Sequence, residues 1–137
     1  MECVFCELIR TGDARWVARG QVACAFAPLN PLAPGHTLVA PIRHHADLFE
    51  TPPDVLAATT ELVRRVALAM RSALDAPGVN VLHASGPASE QSVPHLHLHL
   101  VPRWPDDALT TWPRGRSAHH APGDPTALLA AALGDGP

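Results

Sequence analysis

Apolar and polar positions change their rhythm several times along the chain, and each change predicts an element. Val22, Cys24 and Phe26 alternate with their neighbours and predict a short strand. The stretch from Pro28 to Pro34 carries prolines at 28, 31 and 34 and predicts a loop. Thr37-Leu38-Val39-Ala40 follows as a strand stopped by Pro41. The period then lengthens. Val55, Leu56, Leu62, Val63, Val66, Met70 and Leu74 recur at helical spacing, after a start signal of Thr51 as cap, Pro52 first and Asp54 beyond. Pro77-Gly78 ends that helix. Val79 to Leu82 predicts a strand, Ala84 to Ser92 a polar loop, and His95 to Val101 a last strand stopped at Pro102.

Beyond Arg103 the pattern loosens. The segment from Pro105 to Pro125 is rich in proline, glycine and aspartate. It leads into a closing helix over 125–133, with Asp124 as cap, Pro125 first and Gly134 after it. The expected organisation is one domain over 1–104 and a Pro/Gly-rich tail over 105–137. Strands with a single long helix in this order predict an α+β domain with a mainly antiparallel sheet.

Composition narrows the function classes. The chain has 137 residues, of which 47% are hydrophobic, enough for one globular domain without disulfides. A net charge of −3 argues against a general nucleic-acid binder and leaves room for a small phosphorylated ligand. No apolar run is long enough for a membrane span, and the opening MECVFCELIR lacks the apolar core of a secretory signal. A cytoplasmic setting is therefore expected, in which cysteines are thiols or metal ligands rather than disulfides.

The chemistry concentrates in His95-Leu96-His97-Leu98-His99-Leu100-Val101. In a strand, the three histidines share one face about 7 Å apart and the leucines share the other, from a rise of roughly 3.3 Å per residue. Leucines supply core. Clustered imidazoles suit metal binding or nucleophilic catalysis, because a neutral imidazole is abundant at pH 7. His36 opens the strand before the long helix, and Gln91 and Ser92 sit on the loop before the histidines with side-chain donors. A second constellation, Cys3-x-x-Cys6, leaves zinc, redox chemistry and coincidence open; no βαβ pattern surrounds it, which disfavours a thioredoxin-like site. Cys24 reads as a small core residue.

Residues 95–101 match His-φ-His-φ-His-φ-φ, with φ apolar, at each position, and so resemble the signature of the histidine triad (HIT) family. Gln91-Ser92-Val93, the run Pro34-Gly35-His36-Thr37-Leu38-Val39-Ala40-Pro41 and the exit Val101-Pro102-Arg103 are similar to that family too, so the resemblance covers Cys3 to Arg103. It implies a mainly antiparallel five-stranded sheet with one long helix, and a homodimer. It implies that His97 attacks a nucleotide α-phosphorus, with His99, His36 and His95 around it and Gln91 and Ser92 binding substrate. It implies hydrolysis of a purine nucleoside phosphoramidate, or alternatively of a dinucleoside polyphosphate by hydrolysis or phosphorolysis. A non-catalytic nucleotide-binding or protein-interaction module, or a zinc-stabilised scaffold, are the competing classes. The base calls for an apolar pocket, for which Val4, Phe5, Leu8, Ile9, Phe26 and Leu29 are candidates. The resemblance also implies a structural zinc held by Cys3, Cys6, His44 and His95, with His45 as a substitute for His44.

Three positions depart from the commoner phosphoramidase pattern. Pro28 stands where an acid contacts ribose, Ala84 where an asparagine lies near the phosphate, and Glu90 where a glycine precedes the glutamine. His99 favours hydrolysis, because the transferase branch replaces that histidine by glutamine.

Overall fold

A computed structural model describes residues 2–134. The last three residues of the predicted tail, 135–137, lie outside the described residues. Eight elements matter for the site: α1 (Val4–Thr11), β1 (Trp16–Arg19), β2 (Ala23–Phe26), β3 (Thr37–Pro41), α2 (Pro53–Leu74), β4 (Gly78–Leu82), β5 (Leu98–Arg103) and α3 (Pro125–Leu133). The strands form one five-stranded antiparallel sheet in the order β1-β2-β3-β5-β4. The α+β class and the antiparallel five-stranded sheet expected from the sequence are what the chain adopts.

Both faces of the sheet are covered. On one side α2 packs Leu62, Val66 and Met70 onto Ala25, Val39 and Leu100. On the other, Phe5 of α1 packs with Cys24, Phe26, Leu38 and Ala40. Double coverage explains why every residue of β2 and β3 is buried, instead of the alternation of a half-exposed strand. The β3–β5 register pairs Leu38 with His99 and Val39 with Leu98. Directly paired residues share a face, so His99 lies on the α1 side and Leu98 on the α2 side. The α2 core therefore takes Leu100 from this strand, and His99 is left to the α1 side.

Several boundaries differ from the sequence reading. Two elements carry no strong periodic signal and go unread: α1, which is short, and β1, a four-residue edge strand. The last strand begins at Leu98, not His95, and continues through Pro102 to Arg103. Pro102 is tolerated because the β3 ladder ends at Thr37↔Leu100, so only β4 flanks it. The α2 start is also displaced. Helix begins at Pro53, and Thr51 does not cap it, because the Thr51 hydroxyl donates to the Asp47 carbonyl at 2.6 Å.

One glycine is demanded by the turn that delivers His36. Gly35 has φ 82°, and a Cβ there would approach the Leu74 side chain to 2.5 Å. After β5, Arg103 grips Asp107 at 2.8 Å, bonds Asn80 at 2.7 Å and reaches the Leu109 carbonyl, which ties the first residues past the sheet to β4. From there to α3 no helix or strand is present among the described residues. Asp124 accepts from Thr126 and Ala127 amides to cap α3, none of whose residues is buried. No helix among the described residues is long and apolar enough to cross a membrane.

Candidate active site and metal centre

Two clusters share the α1 face and meet at His95. The first is a ring of imidazoles. The His36 and His99 rings touch through Nε2 and Nδ1 at 3.0 Å, and the His97 and His99 ring centroids lie 5.1 Å apart. Hydrogen-bond logic assigns each proton. The Leu32 amide donates to His36 Nδ1 at 3.0 Å, so His36 carries its proton on Nε2 and donates it to His99 Nδ1. His99 then holds its own proton on Nε2, the outer nitrogen. His97 Nδ1 lies 2.7 Å from the His95 carbonyl, which can only accept, so Nδ1 carries the proton and Nε2 keeps a lone pair.

Burial keeps these rings neutral. His36, His97 and His99 are all pushed below the ordinary histidine value, first by desolvation. His99 falls furthest, to about 4, with repulsion from His97, His36 and His83 added to burial. For His97 the bond to the His95 carbonyl works in the opposite direction, and charge on His83 adds to the lowering.

The second cluster gathers Cys3, Cys6, His44 and His95, whose ligand atoms all lie within 4.8 Å of one another. Cys3 Sγ and Cys6 Sγ lie 3.4 and 3.5 Å from His95 Nδ1, and Cys6 Sγ lies 3.4 Å from His44 Nδ1. Around a tetrahedral ion with Zn–N and Zn–S bonds of roughly 2.0 and 2.3 Å, neighbouring ligands stand about 3.6 Å apart. The donor set and the spacing therefore fit a metal ion. The His95 tautomer fits as well: Nε2–H donates to the Pro41 carbonyl at 2.8 Å, which leaves the Nδ1 lone pair facing the thiols. Burial and the neighbouring Cys3 push the Cys6 thiol up to about 11, a cost that a bound cation would reverse. Position 44, not 45, joins the cluster; the His45 Nε2 is buried without a hydrogen-bond partner among the described residues, and the His45 backbone carbonyl accepts from the Leu96 amide at 2.7 Å.

This constellation decides the family. A family model for the HIT domain matches residues 11–106. The chain belongs to the histidine triad family. It is 32% identical over 114 residues to the adenosine 5'-monophosphoramidase HNT1 of Saccharomyces cerevisiae, covering 81% of this chain and 70% of that protein. It is 34% identical over 110 residues to the adenylylsulfatase HINT3 of Arabidopsis thaliana, covering 79% of this chain and 55% of that protein. Its fold superposes with TM-score 0.76 on a zinc-bound histidine triad family protein from Mycobacterium smegmatis, at 38% identity and 81% coverage of each chain.

Within this HIT chain, not every residue singled out from sequence joins the site surface. Phe5 and Phe26 are core residues, 7% and 1% exposed, packed edge to face at 5.3 Å. Phe5 backs the histidines instead of lining an opening, with its ring 5.0 Å from that of His97 and 5.8 Å from that of His95. Ile9 is packed onto the same cluster. The exceptions are Val4, 55% exposed at the start of α1, and Leu29, 96% exposed on the β2–β3 loop. That loop borders a cavity of about 970 Å³ lined by Leu8, Trp16, Pro28, Leu29, His36 and Leu74 among others. Ser92 is exposed on its loop. Gln91 is fully engaged: its amide donates to the Ala46 and Val93 carbonyls at 2.6 and 3.1 Å and accepts from Gly86 at 2.9 Å. Its side chain splices the 84–92 loop to the loop that carries His44, so no N–H is left over for a ligand.

The sequence reading missed two contributors. The Leu32 amide, which sets the His36 tautomer, has no side-chain signal at all. His83, whose Nδ1 sits 2.9 Å from the His97 carbonyl, lies outside any motif.

Proposed function

We propose that this chain hydrolyses a bond to the α-phosphorus of a nucleotide, with a nucleoside phosphoramidate as the substrate type. The observation that carries the reading is the His97 ring: Nδ1–H is given to the His95 carbonyl, and Nε2 is left as the nucleophile. Nε2 attacks the phosphorus as the P–N bond to the amine breaks. The electron pair departs with the amine, which takes a proton from water while the Ser92 hydroxyl bonds to it. The nucleotidyl-imidazolium keeps its Nδ1–H on the His95 carbonyl, which stabilises the positive ring. The hydroxide left when the amine took its proton from water attacks the phosphorus, the P–Nε2 bond breaks with its pair returning to Nε2, and a nucleoside monophosphate is released. His99 Nε2–H is the donor for the phosphate oxygens, held in that tautomer by His36. The named activities of the yeast and plant relatives, on AMP and adenylyl groups, support a purine nucleotide here.

The metal cluster takes a structural zinc in this reading. Cys3, Cys6, His44 and His95 would hold it, and the ion would fasten α1 to the sheet behind His97. Residues 1–104 act as the catalytic domain, in the cytoplasm, with 105–137 as an appended tail. Two copies pair, a reading supported by the open β4 edge and by Leu68 on α2 and Val81 on β4, 48% exposed each.

The test is rapid mixing with labelled adenosine phosphoramidate and, in parallel, a dinucleoside polyphosphate, followed by intact-mass analysis. A transient gain of one nucleotide, absent in His97→Ala, is expected, with the phosphoramidate faster. Faster turnover of the polyphosphate would replace the substrate assignment. No adduct and no product from either would overturn the enzyme reading in favour of a binding module.

A further inference from the structure

His97 lies just beyond the regular sheet. The β4–β5 ladder ends at Leu82↔His99, and β5 itself starts at Leu98. The backbone carbonyl of His97 therefore has no ladder donor. His83, the residue that follows β4, supplies one from its side chain: Nδ1 stands 2.9 Å from that carbonyl. A carbonyl only accepts, so His83 carries its proton on Nδ1 and Nε2 is an acceptor. Ser85 meets that need at 2.6 Å with its hydroxyl proton, while the same oxygen accepts the Leu48 amide at 2.8 Å. His83 is exposed, and a surface imidazole is ordinarily free to rotate. This one has both nitrogens committed, and the commitments agree with one tautomer.

We infer that His83, set by Ser85, is a positioning residue for His97. This rests on the reading of His97 as nucleophile. The nucleophile is clamped at two points: its ring by the His95 carbonyl, and its peptide by the His83 ring. Removing His83 frees the peptide that carries the attacking ring, and a displacement of about 1 Å at a reacting group costs roughly a hundredfold in rate. The Ser85–Leu48 bond extends the clamp to the loop that holds His44, so the nucleophile and the metal-ligand loop share one support.

The experiment compares His83→Ala, His83→Asn and Ser85→Ala in the full chain. In His83→Ala, kcat should fall roughly 10- to 100-fold with KM within about twofold, because placement and not binding is lost. His83→Asn restores an N–H at the Nδ1 position and should recover most of kcat. Ser85→Ala should fall between them and needs no large side chain removed, so it serves if His83→Ala does not fold. An unchanged kcat, an equal loss in the alanine and asparagine variants, or a change confined to KM would overturn the inference. A second readout needs no substrate. Two-bond 1H–15N spectra should show His97 as a single Nδ1–H tautomer in the parent and as a mixture in His83→Ala. That shift without any parental turnover would sink the hydrolysis reading and leave the positioning intact; an unshifted tautomer together with unchanged kcat would sink the positioning alone.

Discussion

The His95 carbonyl accepts the Nδ1–H of His97 at 2.7 Å, while the His95 ring turns the other way, donating to the Pro41 carbonyl and presenting Nδ1 to two thiols. One residue thus serves two sites, its backbone aligning the proposed nucleophile and its side chain standing among the four groups that could hold a metal ion. In that division of labour the attacking nitrogen belongs to His97 alone. His97→Ala should lower kcat by at least about a thousandfold, with the parental thermal midpoint changed far less. Steady-state rates on adenosine phosphoramidate check this, and a variant within tenfold of the parent would contradict it.

Metal binding can be tested apart from catalysis. Elemental analysis of purified protein should give close to one zinc per chain, and Cys3→Ser should lose most of it. Without an ion, α1 is held by its apolar packing and by weak thiol–imidazole contacts of 3.4–3.5 Å. Chelation or Cys3→Ser should therefore lower stability by about 2–3 kcal/mol, or roughly 10 °C in midpoint. A parent with well under one metal per chain and an equally stable variant would remove the zinc.

Acid should act on the histidines in a predictable direction. The folded pKa of His99 is depressed to about 4, below the ordinary 6.5, and that of His36 is lowered as well, both mainly by burial. The unfolded chain therefore binds more protons than the folded one between those values. Stability from these groups is fully present above about pH 6.5 and declines as pH falls towards 4. The acid limb of kcat/KM should likewise lie below 6.5, because His99 must stay neutral to accept from His36. An acid limb centred at or above 6.5, or a His99 titration there by NMR, would refute the tautomer chain.

Phe5 links packing to chemistry. Its ring touches Phe26, His95 and His97 at once. Phe5→Ala should cost about 3 kcal/mol, and it should also lower kcat, since it opens space behind the nucleophile. Denaturant melts and initial rates on the same sample decide this, and a stable variant with full activity would show that the ring is filler.

The tail makes an opposite prediction. Arg103 ties down Asp107 and the Leu109 carbonyl, whereas nothing in α3 is buried. A chain ending at Leu109 should keep its midpoint within about 2 °C, since substitutions and cuts away from packed features change little. A large loss on scanning calorimetry would mean that the tail packs somewhere that stabilises the fold.

The strongest signals in the sequence were those whose information is local. Alternation at Val22–Phe26 and the run at Thr37–Ala40 located β2 and β3, and the helical period to Leu74 located the body of α2, because period and face are set by consecutive residues. Where local cues competed with tertiary contacts, the contacts won. Thr51 reads as a cap and instead bonds Asp47, and Gln91 reads as a free donor and is spent on splicing two loops. The short α1 and β1 stayed silent, since eight and four residues are too few for periodicity to speak.

The sequence by itself supplied the candidate residues: the alternating histidines, the Cys3-x-x-Cys6 pair and His36, although only His99 of the triad falls within the regular strand. It could not determine protonation. Which nitrogen of His97 is free depends on a carbonyl two residues away being turned towards it. The His99 proton depends on a relay that starts at the Leu32 amide, and the His97 peptide depends on His83 from another strand. A tautomer is set by the partner each ring nitrogen meets, and only the folded chain brings those partners within 3 Å.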